Sequence, residues 1–206
     1  GYNNPLRYTD PNGHDPVAPP PAPPIYWRGK TEAELAAYEQ YQGTYNDCGA
    51  FSVAVAINML TGSNLKGHDV AQLGDVGLLS PAGGTRLWPG SAIAPGNQAN
   101  LANWINTFAQ DNKAPIPRFS AKATKATPAG LRKLLTEPDK VGIVTLGWKD
   151  TKGGKKAGHA EVIVAYDPAH KDGPWGLLNW WDKKPDAIIR WMNDAEFKKQ
   201  WNYQFP

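Results

Sequence analysis

The stretch Asn46-Asp47-Cys48-Gly49-Ala50-Phe51-Ser52-Val53-Ala54-Val55-Ala56-Ile57-Asn58-Met59-Leu60 sets the fold of this chain. From Cys48, the only cysteine present, the run is apolar apart from Ser52 and Asn58, and Thr61-Gly62 supplies a C-terminal stop behind it. It therefore predicts a helix from Cys48 to about Leu60, with Asp47 at or next to the N-cap. Far downstream, Gly158-His159-Ala160-Glu161-Val162-Ile163-Val164-Ala165-Tyr166 is a second apolar run, opened by a histidine and rich in β-branched residues, which predicts a strand. A thiol at a helix start, with an imidazole on a strand elsewhere, is the layout of a cysteine nucleophile and its base.

The chemistry explains why these residue types are wanted. A free thiol has a pKa near ~8.5, so only a few per cent is thiolate at neutral pH unless something favours the anion. The positive end of a helix starting at Cys48 and an imidazolium beside it both do so. Gln42 lies six residues before the thiol. An amide N–H there joins the backbone N–H of Cys48 as a donor to the oxyanion formed when the thiolate attacks a carbonyl. In Trp175-Gly176-Leu177-Leu178-Asn179-Trp180-Trp181-Asp182, either Asn179 or Asp182 is expected to accept the Nδ1–H of His159 and fix its tautomer.

Gln42 followed by Asp47-Cys48-Gly49-Ala50, then Gly158-His159 before a β-branched strand, then Asn179 with Trp181 two places on, resembles the papain-like cysteine peptidases. The Asp-Cys-Gly-Ala form in a short chain is most similar to their bacterial C39-like branch. The resemblance runs from about Gln42 to Trp201, since Ile188 to Phe197 also looks like that branch's last strand and helix. It implies an α+β papain-like fold, with Cys48 as nucleophile, His159 as base and acid, Gln42 in the oxyanion hole and Asn179 as the orienting residue, Asp182 being the alternative third member. It also implies hydrolysis of amide bonds through a thioester. The spacing from His159 to Asn179 is longer than is common there, and a loop over Pro168 to Trp175 accounts for it.

At the other end, Asn4-Pro5-Leu6-Arg7-Tyr8-Thr9-Asp10-Pro11-Asn12-Gly13-His14-Asp15-Pro16 is similar to the closing signature of the Rhs/YD-repeat core of bacterial polymorphic toxins. That resemblance implies an effector domain carried in an Rhs shell, delivered into a target cell and partnered by an immunity protein. Three segments follow: the core signature over 1–16, a proline-rich linker over 17–30, and a catalytic domain over 31–206. The tract Val17 to Pro24 predicts an extended polyproline spacer.

Composition agrees with one catalytic unit. With 41% hydrophobic and 20% charged residues in 206, the chain suits a globular domain and not wholesale disorder. One cysteine rules out an internal disulfide and leaves a thiol available to react. No apolar run approaches the ~20 residues of a membrane span, and the N-terminus lacks a signal-peptide pattern, so export is expected to come from a larger parent. A net charge of +3 does not argue for nucleic acid, which is not an expected partner; a protein or peptide substrate is. With no phosphate-cradling glycine motif and no metal-ligand spacing, no cofactor is expected.

The remaining elements follow the same signals. Thr31-Glu32-Ala33-Glu34 has the form of a capping box opening a short helix to about Gln40. The glycine-rich 62–96 reads as a long irregular connection, a candidate cleft wall. Helices are expected over 98–110 and from Thr127-Pro128 to near Pro138. Strands are expected over Val141 to Leu146, Ala160 to Tyr166, Trp175 to Trp181 and Ala187 to Met192, then a helix over 194–201. Helices first and strands later is an α+β order, with the active site between the halves.

Blander readings stand beside these. Lys149 to Lys156 reads as a solvated hairpin turn, and Trp180, Trp181, Trp191 and Trp201 as packing around the sheet, with shielding of the His–Asn pair the other role open to Trp181. His14, His68 and His170 open no apolar strand. Two other functions use the same residues: a glutamine deamidase or transglutaminase-like effector, and a catalytically inactive peptide-binding module. A metal-dependent nuclease lacks the carboxylate and histidine cluster it would need.

Overall fold

The computed structural model describes residues 21–42, 48–75, 95–111, 113–149, 156–180 and 189–201. The architecture is α+β, six helices with a curled antiparallel sheet among the described residues. Residues 4–16, read above as similar to an Rhs core signature, and most of the proline tract lie outside them, as do Asp47, Trp181 and Asp182.

Strand β3 (Lys156–Tyr166) is the spine of the sheet. One edge pairs with β2 (Gly142–Lys149), Leu146 opposite His159 and Val144 opposite Glu161. Further along that edge β1 (Ile25–Tyr26) pairs with Ala165 and Tyr166. Ile25 and Tyr26 belong to the stretch read as linker; their pairing and the full burial of Trp27 tie that stretch to the sheet. The other edge pairs with β4 (Trp175–Leu178), which pairs with β5 (Arg190–Met192). The ladder from Lys149 to Lys156 makes β2 and β3 a hairpin, as the basic turn predicts; 150–155 lie outside the described residues.

Helix α1 (Glu32–Ala36) carries the expected capping box, Thr31 Oγ1 accepting from the Glu34 backbone and Glu34 reaching back to Thr31 N. It stops short of Gln40, because Tyr38 and Glu39 bond back three residues in a tightened last turn. Helix α2 (Cys48–Thr61) starts at the cysteine and ends where the stop signal sits, Gly62 adopting φ 72°. That left-handed conformation is open to glycine at no steric cost. Eleven of its first twelve residues after Cys48 being apolar or small, α2 is buried from Cys48 to Met59 and runs through the core.

The connection 62–96 is not wholly irregular. It contains α3 (Gly67–Asp75), which packs on α2 and buries Val70 and Ala71. A side chain at Gly67 would lie 2.3 Å from the Phe51 ring, so glycine here permits contact rather than marking a loop. The high glycine content hid this helix from a compositional reading. Helices α4 (Pro95–Asp111), α5 (Pro128–Leu135, capped by Thr127) and α6 (Asp194–Trp201) occupy the expected regions. Two apolar clusters result, one between α2 and the sheet and one between α2, α3 and α4. Through the first, α2 holds Cys48 against the strand that carries His159.

Candidate functional site

One buried hydroxyl organises the site. Ser52 Oγ, one helical turn after Cys48, lies 2.7 Å from the Cys48 carbonyl oxygen and 2.8 Å from that of Ala160 on β3. The indole N–H of Trp180 donates to the same Ala160 oxygen at 2.8 Å and to Ser52 Oγ at 3.0 Å. Ser52 and Trp180 are both fully buried, where unmade hydrogen bonds are costly, so this knot fixes the first turn of α2 against β3.

Each leading candidate sits beside the knot. Cys48 and Ala160 are members of it, and His159 precedes Ala160. Asn179 precedes Trp180, whose carbonyl accepts the backbone N–H of Gln42 at 3.1 Å. Gln42, Cys48, His159 and Asn179 come from a loop, a helix, a strand and a strand end, and all are buried; His159 and Asn179 meet through their side chains, while Cys48 and Gln42 are linked to the knot through their backbones. His68 instead packs edge-on against Phe51, and His170 stacks on Trp191.

His159 Nε2 lies 2.9 Å from Asn179 Oδ1. An amide oxygen only accepts, so Nε2 carries a proton in this contact and Nδ1 is the basic nitrogen of the neutral ring. This corrects the expected use of Nδ1–H: Asn179 follows directly on β4, whose last residue Leu178 pairs with Val162 of β3, and from there its amide oxygen meets the ring at Nε2. Asn179 is hydrogen-bonded to the ring, and Asp182, the other candidate for that role, lies outside the described residues.

Two charged residues that the motif reading passed over complete the surroundings. Glu161 follows His159 by two on β3 and shares its face, and its Oε1 is 3.9 Å from Nε2. The same oxygen is hydrogen-bonded and ion-paired to Arg190 of β5. The available signal was a carboxylate inside an otherwise apolar strand, and for Ser52 the i+4 spacing from Cys48. Burial pushes the His159 imidazole down to about 4; the Asn179 bond opposes this and the Arg190 charge adds to it.

Chemically, the site holds a thiol at the N-terminal end of a 14-residue helix and a neutral imidazole with a fixed tautomer. The described residues contain no cluster of three metal-ligating side chains, and no described helix is long and apolar enough to cross a membrane. No protein-family model and no curated protein matches the chain.

Proposed function

We propose that this chain is a papain-like thiol hydrolase, a cysteine peptidase acting as the delivered domain of a polymorphic toxin. The observation that carries the reading is the His159–Asn179 hydrogen bond, on a strand whose next residue is bridged through Ser52 to Cys48. In the proposed reaction His159 Nδ1 takes the Cys48 proton as sulfur attacks an amide carbon, and the oxyanion is held by the Cys48 N–H and Gln42. His159 then returns the proton to the departing amine, leaving a thioester. Water, deprotonated by the same nitrogen, hydrolyses it and restores the thiol.

Asn179 keeps the Nε2 proton in place so that Nδ1 remains the base throughout. The toxin context comes from the Asn4 to Pro16 signature, which also supports an Rhs shell and a cognate immunity protein as partners. A deamidase would form the same thioester, and intact-mass measurement of treated target proteins separates the two: cleavage gives fragments, deamidation a gain of about one dalton.

A second reading, an inactive peptide-binding module, is favoured by one observation: Cys48 is only 3% exposed and His159 0%. Alkylation decides between them. For the hydrolase, iodoacetamide labels Cys48 at neutral pH, and Cys48→Ala abolishes toxicity and substrate turnover while leaving the circular dichroism spectrum unchanged. A thiol that stays unlabelled in the native protein, or a fully toxic alanine variant, overturns the peptidase reading.

A further inference from the structure

The reading of His159 as a base leaves unexplained the ion pair beside it, whose carboxylate is buried and whose guanidinium is partly exposed. Glu161 is fully buried within the apolar run Ala160 to Ala165, and Arg190 reaches it from β5. Taking a carboxylate out of water carries a desolvation penalty that its partner's attraction offsets only in part, and apolar residues at such positions are commonly as stable or more so. Packing alone therefore does not call for a glutamate at this position.

Its geometry does. Oε1 faces both the Arg190 guanidinium and Nε2 of His159, the latter at 3.9 Å, while Asn179 Oδ1 accepts the hydrogen bond from Nε2–H at 2.9 Å. Of the elements packed on this part of β3, β2 sets Leu146 opposite His159, β4 leads into the neutral Asn179, β3 itself contributes Glu161, β5 contributes Arg190, and α2, tied to Ala160 through Ser52, carries Cys48 in its first turn. We propose that Glu161 and Arg190 are positioning residues acting as a charge-balanced pair: Glu161 stabilises the imidazolium formed when His159 takes the Cys48 proton, and Arg190 holds the carboxylate off Nε2 so that Asn179 keeps it.

The two charges act on the imidazolium with opposite sign. Glu161→Gln leaves the guanidinium uncompensated, which disfavours ring protonation; Arg190→Gln leaves the carboxylate uncompensated, which favours it. The Arg190 charge already works in the disfavouring direction.

The test is a titration of ¹⁵N-histidine-labelled full chain, following the His159 ring nitrogens by NMR. The expected result is a His159 midpoint at lower pH in Glu161→Gln, at higher pH in Arg190→Gln, and near wild type in Arg190→Lys and in the double Gln variant. Shifts of the same sign, or none, overturn the proposal. If Glu161→Gln fails to fold, the double Gln variant replaces it: a His159 midpoint as high as in Arg190→Gln shows that the carboxylate contributes nothing and overturns the proposal, whereas a return toward wild type upholds it. The same samples are alkylated in parallel. Opposed shifts with an inert thiol uphold the charge pair while refuting the hydrolase; a reactive Cys48 with no opposed shifts refutes the pair alone.

Discussion

Acid sensitivity is the most direct consequence of a fully buried histidine. In the unfolded chain His159 protonates below its ordinary 6.5, whereas in the native protein burial holds it down to about 4. Between those values the unfolded state binds the extra proton, so native stability is complete above about pH 6.5 and is lost as pH falls toward 4. Below 4 both states are protonated and this contribution no longer changes.

At about 1.4 kcal/mol per pH unit, the loss from this one residue is about 1.4 kcal/mol at pH 5.5 and about 3 kcal/mol at pH 4. Its full burial means that solvent screening does not reduce the effect. The matched perturbation is His159→Gln, which removes the titration but keeps an N–H able to donate to Asn179 Oδ1. Urea unfolding of both proteins at pH 7.5, 5.5 and 4 isolates the term, because other ionisable groups cancel in the difference. The wild type is expected to lose about 3 kcal/mol more than the variant by pH 4. Acid curves parallel to within about 0.5 kcal/mol would refute the assignment of His159 as a ring kept neutral by burial.

Ser52→Ala removes the hydroxyl shared by Cys48, Ala160 and Trp180 and should cost about 2 kcal/mol in urea unfolding, with slower alkylation of Cys48 as α2 loses its tie to β3. Asn179→Ala leaves the buried Nε2–H of His159 without this acceptor, with an expected loss of about 1–3 kcal/mol in urea unfolding; it should also slow alkylation of Cys48, and Asn179→Gln, whose amide sits one methylene further out, should remain slower than wild type. Gly62→Ala forces a side chain into φ 72° at the end of α2 and should lower stability by about 1 kcal/mol without altering Cys48 reactivity.

Much of the framework was legible in the chain. The Cys48 to Leu60 run gave a helix with the right start and stop because its apolar residues and Thr61-Gly62 are local signals. The strand from His159 was legible because β-branched residues cluster after it. Helix α3 was not, since the glycine that suggests a loop is needed where the backbone meets Phe51, a contact known only once α2 and α3 are placed. The end of α1 escaped for a similar reason: the chain turns after Ala36 by three-residue bonds and leaves the helix before Gln40.

Motif spacing likewise nominated Gln42, Cys48, His159 and Asn179 without the means of joining them. Residue type alone determines that a thiol opens an apolar helix, that an imidazole opens an apolar strand, and that an amide follows the next strand. The nitrogen of His159 that meets Asn179, the Ser52 hydroxyl between α2 and β3, and the Arg190 charge brought to Glu161 were decided by tertiary structure. Helical and strand periodicity report which face of an element is apolar. The partner across a sheet, and the pH at which a buried ring protonates, depend on residues distant in sequence that only packing brings within a few ångströms.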